Sequence, residues 1–179
     1  MNYVDNLSYK IVPTQNFQIV RGCAGCGSKQ NFLNREHFRV NANGNRLDVW
    51  LIFGCEKCGH TYNLPIYERV NPGKIPKDDY QKFLANDKEL AFQIGISKEV
   101  FAKNRAEIVR DSIKYELVPM QEEQSLPEGT LEICLYNPYD IPVRVEKIVA
   151  EILHVTRAEA KRRLAEGKVI VSQEKGFSS

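Results

Sequence analysis

The chain has 179 residues, 42% of them hydrophobic, and its 25 Lys and Arg nearly balance 23 Asp and Glu, for a formal net charge of +2. That apolar content supports a packed core in one ordinary domain or two small ones. Near-neutrality excludes whole-chain attraction to nucleic acid, so any basic surface has to be local.

Residues 1–18 hold no long apolar run, being interrupted by Asp5, Lys10 and Pro13, and no signal peptide or membrane span is read there. Residues 17–22 read as a strand entering the pair Cys23-Ala24-Gly25-Cys26-Gly27, and residues 32–42 as a strand leaving it. Asn43-Gly44 marks a hairpin, because both residues tolerate positive φ. Residues 47–53 form a third strand running into the second pair, Cys55-Glu56-Lys57-Cys58-Gly59, and residues 61–70 a fourth running out.

The glycine after each pair suits a tight turn that aims successive backbone amides at a thiolate. Four thiolates at Cys23, Cys26, Cys55 and Cys58 suit the tetrahedral preference of zinc, and the layout is that of a zinc ribbon; two disulfides are the alternative. A closed four-sulfur site leaves no open position for substrate, so the expected zinc is structural. His37 and His60 read as ordinary strand or turn residues. Trp50, Phe53 and Tyr62 are expected to form a small core, marginal without metal. With a thiol metal site and no export signal, the expected compartment is the reducing cytoplasm.

Asn71-Pro72-Gly73-Lys74-Ile75-Pro76 reads as a linker ending the ribbon. Tyr80, Phe83, Leu84, Leu90, Ala91 and Ile94 then recur at helical spacing, with Asn86 and Asp87 able to break and recap the run, and Ser97 offers a cap for a helix over 98–105. Glu89-Leu90-Ala91-Phe92-Gln93-Ile94-Gly95-Ile96-Ser97 resembles the first helix and turn of a helix-turn-helix, whose second helix would present Lys98, Lys103, Asn104 and Arg105. Bulky Val100 and Phe101, and Glu99 with its like charge to phosphate, argue against DNA readout.

Residues 113–118 and 130–136 read as strands, joined by an acidic surface loop that carries Glu122, Glu123 and Glu128. The fifth cysteine, Cys134, lies in the second of these runs and reads as an inert core residue. Val145, Ile148, Val149, Ile152 and Leu153 form one apolar helix face. Thr156 and Glu159 make a capping box for a helix over 157–166 that ends at Gly167, and residues 168–171 form a closing strand. Between His154 and Lys168 the cations Arg157, Lys161, Arg162, Arg163 and Lys168 outnumber Glu159 and Glu166.

From Arg144 to Val171 the sequence Arg-Val-Glu-Lys-Ile-Val-Ala-Glu-Ile-Leu-His-Val-Thr-Arg-Ala-Glu-Ala-Lys-Arg-Arg-Leu-Ala-Glu-Gly-Lys-Val-Ile-Val is similar, without a gap, to the RNA-binding domain named after ribosomal protein S-four. That resemblance implies a helical hairpin docked on a small sheet, with RNA contacts at Arg144, Lys147, Arg157, Lys161, Arg162 and Lys168. Arg163 stands where an apolar residue is usual, Ser172-Gln173 replaces the Asn-Gly turn, and the family's remaining strands do not follow, so the strands at 113–118 and 130–136 are expected to complete the sheet. The knuckles, with Val49-Trp50 and the stretch 67–72, look like an uncharacterised bacterial family, domain of unknown function ten-sixty-two.

The expected fold class is therefore α+β: an antiparallel zinc-ribbon sheet over 1–72, a helical segment over 73–112, and two strands plus an S-four-like helical hairpin over 113–179. The expected function is binding of structured RNA, ribosomal or transfer, through phosphate contacts and helix shape, with zinc as cofactor and a protein partner for the ribbon. A helix-turn-helix regulator and a zinc-ribbon adaptor are the alternatives. No nucleophile elbow, phosphate loop or open metal site is found, so no enzyme, small-molecule substrate or membrane association is expected.

Overall fold

Leu47, Val49, Leu51 and Phe53 alternate with Asp48, Trp50 and Ile52, and this period of two builds a strand with one face fully buried. In a computed structural model that describes residues 4–121 and 129–175, the elements run β1 (Val4–Pro13), β2 (Ile19–Cys23), β3 (Ser28–Asn43), β4 (Arg46–Cys55) and β5 (Thr61–Val70). There follow α1 (Lys77–Leu84), α2 (Lys88–Gly95), α3 (Lys98–Lys103), β6 (Glu107–Ile108), β7 (Tyr115–Pro119), β8 (Thr130–Tyr136), α4 (Val145–Ile152), α5 (Arg157–Ala165) and β9 (Val169–Glu174). No helix among the described residues is long and apolar enough to cross a membrane.

The mixed α and β chain divides into two units, Gln15–Lys114 and the segments Met1–Thr14 with Tyr115–Ser179. In Gln15–Lys114 five strands pair in the order β5-β4-β3-β2-β6, each antiparallel to its neighbour. The helices cover one face: Phe83 of α1 meets Phe38 edge-on with ring centroids 4.9 Å apart, and Phe101 of α3 meets Phe53 at 6.2 Å and Phe17 at 6.1 Å. Burial of each such ring contributes about 1.5–3 kcal/mol, so these phenylalanines dominate the core.

Trp50 lies on the opposite face and is half-buried, which corrects its expected place in the core beside Phe53. The period of two allows no other outcome once Val49 and Leu51 point inward. The expected linker at 71–76 is instead a short turn inside this unit. The Asn71 side chain accepts a hydrogen bond from the Gly73 amide at 2.9 Å, and Ile75 is buried. The hairpin turn also falls one residue later than expected. Asn43 pairs with Arg46, so Gly44 and Asn45 make the turn, and of these Gly44 takes positive φ, 60°, the pattern of a type II′ turn.

The second sheet has the order β7-β1-β8-β9, with β8 parallel to both β1 and β9 and β7 antiparallel to β1. Its core combines Leu131, Ile133 and Leu135 with Ile11, Ile148, Val149 and Val169. The strands expected to complete this sheet, read at 113–118 and 130–136, do lie in it. Strand β1 is an unexpected member. Asn6, Ser8 and Lys10 occupy alternate positions while Leu7, Ile11 and Pro13 are buried, so an interrupted apolar run is a half-buried strand. The first 14 residues thus cluster with the carboxy-terminal segment and not with the knuckles as the 1–72 boundary implied, while the helical segment at 73–112 clusters with the knuckle sheet.

Cys134 is likewise displaced from its expected core position. It sits between buried Ile133 and Leu135, so it faces the other way and is half-buried, in register with Ser8 and Ser172. Of the acidic loop, Glu122, Glu123 and Glu128 lie outside the described residues.

Candidate metal centre and basic helical hairpin

The two knuckles are copies of one backbone design at the ends of paired strands. In the first, which joins β2 to β3, the Gly27 amide donates to the Cys23 carbonyl at 2.8 Å; in the second, which joins β4 to β5, the Gly59 amide donates to the Cys55 carbonyl at 2.9 Å. Gly27 and Gly59 have φ of 69° and 75°, left-handed values that a side chain resists. Strand pairing brings the knuckles together: Phe32 of β3 is opposite Cys55, and the Glu56 amide donates to the Asn31 carbonyl at 2.9 Å.

All four sulfurs of Cys23, Cys26, Cys55 and Cys58 lie within 4.8 Å of one another, with Cys23 to Cys58 at 3.5 Å and Cys26 to Cys55 at 3.9 Å. A tetrahedral zinc with Zn–S bonds of about 2.3 Å needs sulfurs about 3.8 Å apart, so the spacing is compatible with a metal such as zinc. Cys23 and Cys55 are buried, Cys26 is half-buried and Cys58 exposed. Among the described residues the candidate metal group consists of these four cysteines.

Protonation differs among the sulfurs. The Cys58 thiol beside Cys26, together with burial, pushes Cys26 up to about 12, and burial raises Cys23 as well. At Cys55 burial works against ionisation, but the backbone amides of Cys58 and Lys57 outweigh it and bring that thiol down to about 7. One sulfur thus ionises readily and its neighbours resist. A divalent ion would let several thiolates share so small a space.

Sequence reading missed Gly25. A Cβ there would stand 3.0 Å from the Cys58 sulfur and 3.5 Å from the His60 Cβ, so the first knuckle needs glycine within the pair as well as after it. Only the spacing across both knuckles reveals this, since the crowding atom lies 33 positions away in the chain.

At the carboxy-terminal hairpin, α4 buries Ile148, Val149 and Ile152, and Thr156 caps α5 by accepting from the Glu159 amide at 3.2 Å. The Glu159 carboxylate turns to Arg162 at 2.7 Å and Arg163 at 2.8 Å, so it serves the helix surface more than a capping box. Hydrogen bonding from Arg163, then Arg162, holds that carboxyl below the usual carboxylate range. Lys168 pairs with Glu166 at 2.6 Å and lowers its pKa in the same way.

Of the six expected RNA contacts all are exposed, but Arg162 and Lys168 are bound up with acids. Lys147 lies 5.5 Å over the Tyr115 ring, and Arg144, Arg157 and Lys161 have no ion-pair partner among the described residues. The helix-turn-helix reading fares differently. Lys103 donates to the Ile66 carbonyl at 3.3 Å and Asn104 to the Pro65 carbonyl at 2.8 Å, so two of its expected base-reading groups are spent on the outer edge of β5.

Among known proteins, no curated protein and no solved structure matches the chain. Residues 40–175 match the family described as protein of unknown function DUF1062, a span that includes the second knuckle, the three helices after it and the basic hairpin. As that span is well over half of the 179 residues, the chain belongs to the DUF1062 family.

Proposed function

We propose that this protein is a non-enzymatic RNA-binding module in which one structural zinc ion, held by Cys23, Cys26, Cys55 and Cys58, locks a ribbon-like pair of knuckles. Zinc would supply fold stability there, because four thiolates fill its tetrahedral shell and leave no position for substrate. The observation that carries the RNA reading is the pair Arg157 and Lys161, one turn apart on α5, both exposed and both without a carboxylate partner among the described residues. Arg144 and Lys147 add charge at the start of α4.

The similarity to the S-four RNA-binding domain supports the same assignment, with a smaller footprint than the full set of six cations. Arg162 and Lys168 contribute less, since each must leave a carboxylate before it can meet a phosphate. Binding is read as phosphate-led and directed at structured RNA, with affinity that falls steeply as salt rises. A protein-interaction adaptor built on the ribbon is the second reading, favoured if the hairpin cations prove indifferent.

Two measurements test the proposal. Metal analysis of purified protein should return one zinc per chain, and none after all four cysteines are changed to serine. Filter binding of a structured RNA should weaken at least tenfold in the double variant Arg157→Glu, Lys161→Glu. An unchanged affinity would remove the hairpin from the interface.

A further inference from the structure

With helices on one face of the Gln15–Lys114 sheet, the other face is left carrying the chain's single tryptophan, Trp50. Along β4, Trp50, Ile52 and Gly54 share this face. Strand register sets Arg39 and Pro65 beside Trp50, and Leu33 beside Gly54. Trp50, Ile52, Leu33 and Pro65 are all half-buried. Two guanidinium groups frame the row. Arg39 lies 5.9 Å over the Trp50 ring, and Arg35, projecting from the irregular stretch of β3 between Asn34 and Phe38, lies against Gly54 so closely that a Cβ there would collide with it. Both arginines are exposed, and neither has a carboxylate partner among the described residues. Asp48, the carboxylate that β4 places on this face, is engaged by the Arg69 amide at 2.8 Å.

We propose that this face binds an unpaired stretch of RNA, with a base stacked on the Trp50 indole and the flanking phosphates held by Arg35 and Arg39. An indole beside one unneutralised guanidinium, with a second farther along the row, matches a polyanion that also offers flat rings, and the two arginines stand over positions of β4 about 13 Å apart at 3.3 Å per residue, room for an extended strand. A duplex hides its base faces and fits poorly. Glycine at position 54 has a role here too, since the Arg35 guanidinium occupies the space a side chain would take. The site lies on the knuckle sheet and neither uses nor requires the hairpin cations of α4 and α5.

The lone tryptophan makes the test direct. Titrating the zinc-loaded protein with a uridine dodecamer at low salt should quench Trp50 emission saturably, and added salt should reverse it. The double variant Arg35→Glu, Arg39→Glu should weaken the apparent affinity at least tenfold, while Arg35→Lys with Arg39→Lys should retain most of it, which separates lost charge from lost fold. Emission that does not respond to the dodecamer in the wild-type protein overturns the proposal, as does quenching that both double variants leave intact. A blue shift on raising protein concentration without RNA would assign the face to a second copy instead. If structured RNA still binds while Trp50 stays silent, this inference fails and the hairpin reading stands; the reverse outcome removes the hairpin alone.

Discussion

Gly59 and Gly22 show how differently two glycines of one chain can be used. Gly59 has φ of 75° beside the Cys58 sulfur, whereas a Cβ on Gly22 would meet nothing within 4 Å, and its φ is unremarkable. A left-handed backbone costs a non-glycine residue about 1–2 kcal/mol, so Gly59→Ala should lower the unfolding free energy of zinc-loaded protein by about that amount in a urea titration, and Gly22→Ala by close to nothing. Equal losses would mean that the knuckle turn is not the source. The need for glycine after each pair was legible from the motif; that for Gly25 was not, because its crowding atom belongs to the other knuckle. Glu159 offers a pH test at the same scale. Its pKa is lowered in the folded chain by Arg163 and Arg162, so it stabilises the fold fully above its unfolded value near 4.5, and that contribution fades as pH falls through the lower folded value. Glu159→Gln should therefore flatten the loss of stability just below pH 4.5. In the RNA reading it should also tighten binding, by releasing two arginines; tighter binding would be seen as a steeper salt slope.

Four of the helices end in the same way. After α1, α3, α4 and α5 a left-handed residue stands just past the cap: Asn86 at φ 51°, Arg105 at 51°, His154 at 53° and Gly167 at 68°. In each case the next amide reaches back to a carbonyl five residues earlier, as Val155 does to Ala150 at 3.0 Å and Lys168 to Arg163 at 3.0 Å. Gly167 announced this in the sequence; Arg105 did not, since arginine does not favour the conformation, and the enrichment of histidine there is too modest for His154 to announce it. Replacing each by glycine should raise stability by about 0.5–1 kcal/mol, the relief of strain being offset partly by the looser unfolded chain. A rise in thermal midpoint for both single variants, with a fall for Gly167→Ala, checks the pattern. Apart from β1 and the short β6, helices and strands were legible to within a few residues because period and caps are local signals. The irregularity in β3 was not. It depends on the Asn86 side chain accepting from the Phe38 amide at 2.7 Å and on Asn34 accepting from the Glu36 amide at 2.8 Å, one of them a contact across 48 positions.

At the scale of the whole molecule, the division into Gln15–Lys114 and its flanking segments could not be read from periodicity, because β1 finds its partners β7 and β8 more than a hundred positions away. Order along the chain suggested three successive blocks, while pairing makes one unit an insertion within the other. The candidate metal site belongs to one of these units. The four clustered cysteines lie in Gln15–Lys114, two of them at the ends of β2 and β4, so under the zinc proposal a chelator would withdraw a tie between strands that pair with β3. Hydrogen exchange followed after chelation should lose protection first over residues 19–23, 28–43 and 46–55, by a hundredfold or more where amides now exchange through local opening. Protection over 131–136 and 169–174, which rests on the buried ladder of Leu131, Ile133, Leu135 and Val169, should change far less. Simultaneous loss in both sheets would show that the zinc-bound unit supports its neighbour and that the chain unfolds as one body. No loss in either would show that phenylalanine packing alone holds the knuckle sheet, and would reduce the four cysteines from a structural staple to a dispensable site.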